Sequence, residues 1–170
     1  MAIEKVRAYF RPLGLEERIQ EFSISSATVE LAAQALGTEP ARIAKTLSFA
    51  KDDSCILVVM AGDAKVDNKK FKETFGMKAK MLDADAVERL LGHAVGGVCP
   101  FGIPTEIEVY TDVSLKRFDM VYPAAGSSNS AIGLTPAELY QYANARQWVD
   151  VGKAWQAPGS GINDEGGSGR

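Results

Sequence analysis

Two runs of apolar and β-branched residues, 43–50 and 55–61, flank the polar stretch Lys51-Asp52-Asp53-Ser54. That spacing predicts a β-hairpin with strands long enough to cross a small domain. An isolated hairpin is marginal in water, so further strands or a helix must cover it. Strands are predicted at 107–110, 119–123, 130–133 and 148–151, with a short one at 78–82. Helices are predicted at 3–10 and 15–21, broken at Pro12-Leu13-Gly14. Ser26 or Thr28 caps a helix over 29–36 that Gly37 stops, and residues 39–42 form a helical turn. Asp67 caps a helix to Phe75, closed by Gly76, and Asp83 or Asp85 caps one to Leu91, closed by Gly92. Thr135-Pro136 opens a helix to about Asn144. Strands mostly follow strands, with helices inserted between them. The expected fold class is therefore α+β (mixed α/β), a single compact domain with a mainly antiparallel, barrel-like sheet and surrounding helices. The domain is expected over residues 1–152, with a C-terminal tail at 153–170 that is loose from about Pro158.

Composition narrows the partners. A chain of 170 residues can bury its own core. No apolar run approaches the roughly 20 residues a bilayer needs, so no membrane partner is expected. The charged start Met1-Ala2-Ile3-Glu4-Lys5-Val6-Arg7 has no signal core. Cys55 and Cys99 do not make a disulfide framework, and a cytoplasmic location is expected. The net charge of −3 argues against a DNA coat protein. Locally, though, six lysines between 65 and 80 face only Asp67 and Glu73. Lys65, Lys69, Lys70 and Lys72 are therefore candidate phosphate contacts, and a plain solvated helix face is the competing reading.

Two segments carry candidate chemistry. Gly92-His93-Ala94-Val95-Gly96-Gly97-Val98-Cys99-Pro100-Phe101-Gly102 packs four glycines and a proline into one loop. Such a loop lets a ligand approach the main chain and offers N–H groups rather than side chains. It also serves as a tight helix-to-strand connection. Lys45 sits within the first hairpin strand, between Ile43 and Leu47. Lysine is rarely buried alone, so it is either a snorkelling edge residue or a cleft cation.

Much familiar chemistry is missing. His93 is the one histidine and there is no Cys-x-x-Cys, so no zinc site of the usual His/Cys type is expected. No phosphate-cradling G-x-x-x-x-G-K-[ST], no G-x-G-x-x-G and no G-x-S-x-G occurs. His93 and Cys99 form a conceivable nucleophile pair, but a buried thiol in a backbone-lined loop fits better.

The sequence nevertheless resembles one family. Ala44-Lys45-Thr46-Leu47, Gly62-Asp63-Ala64-Lys65-Val66-Asp67, Gly96-Gly97-Val98-Cys99-Pro100-Phe101-Gly102, Ala125-Gly126 and Leu134-Thr135-Pro136-Ala137-Glu138-Leu139 occur in the order seen in the YbaK family. These are free-standing relatives of the editing insertion of bacterial prolyl-tRNA synthetase, and the resemblance spans roughly residues 20–152. It implies a compact α/β unit that hydrolyses the ester of tRNA mischarged with a small amino acid, of the Ala, Cys, Ser or Thr class. It implies no metal and no cofactor. The family's lysine falls on Lys45 and its G-x-x-x-P loop on Gly96, Gly97, Val98, Cys99 and Pro100. Cys99 stands where relatives often carry serine or threonine.

For such a reaction the expected roles follow from its chemistry. Loop amides stabilise the ester carbonyl, and Lys45 holds a phosphate or the polar end of the substrate. A ribose hydroxyl of the substrate assists the attacking water. Thr46, His93, Phe101, Gly102 and Gly126 contribute substrate contacts, and the lysines meet the acceptor end of aminoacyl-tRNA. An aminoacyl-tRNA synthetase is a second candidate partner, and the chain is expected as a monomer or weak dimer. The alternative is a non-catalytic tRNA- or nucleotide-binding module of the same fold. All of these roles require Lys45 and the 96–100 loop, far apart in sequence, to meet at one crevice.

Overall fold

The computed structural model describes residues 2–155. Helix α1 (Ala2–Phe10) buries Ile3, Val6 and Phe10, the stripe expected of a helix packed on one face. A 3-10 turn (Glu16–Arg18) then leads into strand β1 (Ile19–Glu21). Residues 15–21 are therefore not helical as predicted. Ile19 pairs with Ile132 instead, a long-range contact that outweighs local propensity. Helix α2 (Val29–Leu36) is capped by Thr28, whose Oγ1 accepts from Leu31 N–H at 3.1 Å, and Gly37 closes it at φ +69°.

The hairpin is strand β2 (Ile43–Lys51) joined to β3 (Ser54–Ala61), with Asp52 at φ +53° in the turn. There follow β4 (Lys65–Val66), α3 (Asn68–Phe75) and α4 (Ala84–Leu91), the two helices capped by Asp67 and Asp83. Of the predicted strand at 78–82 only a bridge between Met81 and Phe49 forms. Next come β5 (Glu108–Asp112), β6 (Tyr122–Pro123) and β7 (Ser130–Ile132). Helix α5 (Pro136–Tyr142) opens on a capping box between Thr135 and Glu138. Strands β8 (Ala145–Val149) and β9 (Gly152–Lys153) complete the described chain. Lys153, assigned to the tail from sequence, pairs with Lys65, and the expected loose segment from Pro158 lies outside the described residues.

The fold is the mixed α/β domain expected. Its main sheet has the order β6-β2-β3-β5-β8. The β2–β3 pair is antiparallel, as are the β1–β7 and β4–β9 ribbons, whereas β6–β2, β3–β5 and β5–β8 run parallel. Bridges Val121–Leu134 and Ala124–Ala131 link the β6 end of the sheet to β7. Because β3 is sandwiched between neighbours, Ile56 to Ala61 are all buried. One face holds Leu57, Val59 and Phe101 under α1, α4 and α5. The other holds Phe49, Val58, Met60 and Phe71 under α3. Each fully buried large side chain contributes about 1.5–3 kcal/mol.

Candidate functional site

The site begins as a break in the sheet. The two-residue turn makes Lys51 and Ser54 a hydrogen-bonded pair, so alternate residues of β2 turn their main-chain groups away from β3. On that outer edge, β6 pairs with Ile43 and Ala44. Farther along, Ala50 N–H donates to Lys80 O (2.8 Å) and Leu82 N–H to Ser48 O (3.2 Å). The middle of β2 has no strand beside it there. A cavity of about 280 Å³ opens at the break. Tyr122 and Ala124 flank it on one side, Met81 and Leu82 on the other; Thr28, Val29 and Ala32 of the α2 end, with Gly96 and Val98, complete the wall.

Lys45 and Thr46 both line this cavity, so it joins the hairpin strand to the glycine loop. Lys45 is half-buried, and its ammonium donates to Gly62 O (3.4 Å) and Ala64 O. Desolvation lowers its pKa, opposed by the charges of Asp63 and Glu30. The turn that holds it is itself fastened. Arg117 grips Asp63 in bidentate fashion (2.6 and 3.0 Å), and Ala61 N–H donates to Ser114 Oγ (3.1 Å). At Gly62 a Cβ would fall 2.1 Å from Pro40 O, so this turn admits no side chain there. Thr46 Oγ1 is buried without a hydrogen-bond partner among the described residues.

The glycine loop has two sides. Gly96, at φ +96°, and Val98 face the cavity. Gly97 is buried, its N–H is taken by Ala94 O (3.0 Å), and a Cβ there would lie 2.8 Å from the Ser127 backbone. Cys99 and Pro100 lie buried behind it. Cys99 Sγ is 3.6 Å from both His93 Nε2 and Phe101 O, and His93 Nε2 donates to Phe101 O at 2.9 Å. Burial pushes the Cys99 thiol up to about 12 and lowers the His93 pKa, so both are neutral at pH 7. The pair therefore makes no thiolate nucleophile.

Four residues expected at the substrate are set apart from the cavity wall. His93 is fully buried. Phe101 packs edge-on against Phe10, ring centroids 4.8 Å apart. Gly102 abuts Lys5, and Gly126, at φ +98°, abuts Ala2 and Val6 of α1. Their neighbours are the core and α1. Of the candidate lysines, 65, 69 and 72 are exposed, whereas Lys70 is tied to Asp150 (3.2 Å) and Gly152 O (3.0 Å). Helix α3, which carries three of them, packs through Phe71 on the sheet face opposite the Ala44–Val87 side of the cavity. The wall residues Leu82, Tyr122 and Ala124 escaped sequence reading, and for Met81 the spacing left pocket and core equally open. The strands predicted at 78–82 and 119–123 placed Met81, Leu82 and Tyr122 on local elements but not at a common site. Among the described residues, no group of three His, Cys, Asp or Glu side chains is placed to hold a metal ion.

A family model for the aminoacyl-tRNA editing domain matches residues 25–142, the span that contains every wall residue. The chain belongs to the aminoacyl-tRNA editing domain family. This editing domain is 52% identical to the uncharacterized protein YwhH of Bacillus subtilis (strain 168), over 92% of this chain and 100% of that one. It is 26% identical to a proline–tRNA ligase of Bacillus pumilus (strain SAFR-032), over 73% of this chain and 20% of the ligase. It thus spans about a fifth of the ligases it matches. Among solved structures, a candidate trans-editing enzyme for prolyl-tRNA synthetase superposes with a TM-score of 0.81 and 28% identity. That match covers 89% of this chain and 97% of the other. Among the described residues of the editing domain, no helix is long and apolar enough to cross a membrane.

Proposed function

We propose that this editing domain acts in trans as an aminoacyl-tRNA deacylase, hydrolysing the ester that joins a small amino acid to the terminal ribose. The observation that carries this reading is the meeting of Lys45 with Gly96 and Val98 at one cavity. At about 280 Å³ the cavity lies just below the usual range for ligand sites and has room for a small aminoacyl group.

The chemistry asks little of side chains. An aminoacyl ester is already activated, and its hydrolysis needs a placed water and a stabilised oxyanion. The amides of Gly96 and Val98 have no main-chain acceptor among the described residues and stand at the wall. One such donor is worth about 2.7–4 kcal/mol in the transition state. An ammonium has three donors; two of Lys45's meet carbonyls, which leaves one for the substrate. The wall carries no carboxylate or imidazole among the described residues, so the neighbouring ribose hydroxyl assists the water. Lys65, Lys69 and Lys72 supply phosphate contacts along the acceptor end, without base readout.

The experiment is single-turnover deacylation of tRNAs charged with alanine, cysteine, serine, threonine and proline. The protein should clear one or more of the first four at catalytic concentration, and Lys45→Ala should slow it about 100-fold. Binding of these tRNAs without turnover at any enzyme concentration would establish the non-catalytic module instead.

A further inference from the structure

The break in the sheet centres on one residue. Counting from the Lys51–Ser54 turn, residues 44, 46, 48 and 50 direct their main-chain groups to the outer edge. Ala44 is covered by β6, and Ser48 and Ala50 are bonded to Leu82 and Lys80. Thr46 is the one of the four with neither group met: no main-chain partner reaches its N–H or C=O on that side among the described residues, whereas Ser48 lacks one only for its N–H. An open strand edge is a template for another backbone. Here β6 and the 80–82 segment block it at both ends, so a passing strand cannot use it.

We propose that the aminoacyl group docks in this break as a one-residue strand: its α-ammonium donates to the Thr46 carbonyl and its ester carbonyl accepts from the Thr46 N–H. The identity of the ligand rests on the deacylase reading above; the docking mode does not. Two residues of a hydrogen-bonded antiparallel pair exchange both N–H···O bonds, and a single amino acid ester presents the same donor and acceptor. The wall favours this mode for an ammonium. Among the described wall residues there is no carboxylate to pair with it, and the one charged group, Lys45, is occupied by the Gly62 and Ala64 carbonyls. A strand-edge carbonyl is then the acceptor available. Thr46 Oγ1, buried and unpartnered beside it, marks the same spot as short of a hydrogen-bonding partner. The carbonyl oxygen has two lone pairs, so a bond from Thr46 N–H leaves the second for the Gly96–Val98 side.

The test uses hydrolysis-resistant adenosines. The first is 3′-(L-alanylamino)-3′-deoxyadenosine. The second carries an isobutyryl group, in which methyl replaces the ammonium. The third carries N-acetylalanyl. Each is titrated into the ¹⁵N-labelled full chain. The alanyl compound should bind at least tenfold more tightly than either of the others, with the Thr46 amide among the most shifted resonances. Equal affinity for the alanyl and isobutyryl compounds would overturn the proposal. So would a bound alanyl compound that leaves the Thr46 amide unmoved, or no binding of any of the three. Alanyl-selective binding by a protein that deacylates no tRNA would sink the deacylase reading while leaving the docking mode standing. Deacylation without selectivity for the amine would do the reverse.

Discussion

The Gly92–Gly102 loop holds two neighbourhoods a few residues apart. On one side, Gly96 and Val98 border an open cavity. On the other, Cys99, Phe101 and His93 are buried against α1 and the sheet. By residue type, the histidine–thiol pair is what invites a catalytic reading. The structure gives that pair to the interior, where desolvation keeps both members neutral. The half that meets the cavity contributes main chain. Reactivity of residue type is thus a poorer guide here than the direction each segment faces.

The sharpest way to break the contrast is a pair of alanine substitutions. Gly96→Ala places a Cβ at φ +96° and 3.1 Å from Ala27 Cβ, so the loop must shift. A non-glycine residue there costs about 1–2 kcal/mol, and displaced amides should slow single-turnover deacylation about 100-fold in a protein that still folds. Cys99→Ala should hold the rate within about twofold and lower stability by about 1–2 kcal/mol in urea unfolding. The opposite pattern would return the chemistry to the thiol.

His93 sharpens the same contrast through pH. Its folded pKa is lowered by burial, so its contribution to stability is complete above the unfolded value of about 6.5. As pH falls below that value, the unfolded chain takes up a proton that the folded chain refuses. Stability should then drop with a slope of up to about 1.4 kcal/mol per pH unit, and the slope ends once the folded pKa is passed. Unfolding of the parent and of His93→Gln at pH 5.0–7.5 checks this. The variant should lack the increment, and identical slopes would place the imidazole in contact with solvent.

The smallest effect should come from the basic face on α3, none of whose lysines lines the cavity. Replacing Lys69 and Lys72 with alanine should lower the slope of log affinity for tRNA against log salt by about one per lost phosphate contact. Deacylation under single-turnover saturation should be unchanged. A steep fall in that saturated rate would bring the α3 face into the active site.

Much of this molecule was legible in one dimension. The hairpin, the caps Thr28, Asp67, Asp83 and Thr135, and the glycine stops at 37, 76 and 92 are local devices. Each is decided within a few residues and each stands, with Thr28 rather than Ser26 and Asp83 rather than Asp85 taking the cap. The prediction for residues 15–21 failed because the partner of Ile19 is Ile132, and no local pattern discloses such a partner. The parallel joins of β3 to β5 and β5 to β8 were hidden for the same reason. Motif order pointed to Lys45, Thr46 and the 96–100 loop as well as to His93, Phe101, Gly102 and Gly126. Only packing divided these into a group at the cavity and a group against the core and α1.

What the sequence alone determined is the hairpin, most of the helices with their caps, the family, and the two segments that reach the cavity. It could do so because turns, caps and strand alternation depend on near neighbours. The tertiary structure decided that β6 and the 80–82 segment stop short of each other along β2, leaving Thr46 uncovered. That gap is a property of no single segment. It exists because two remote pieces of chain, each held by its own contacts, pair with the same strand and do not meet.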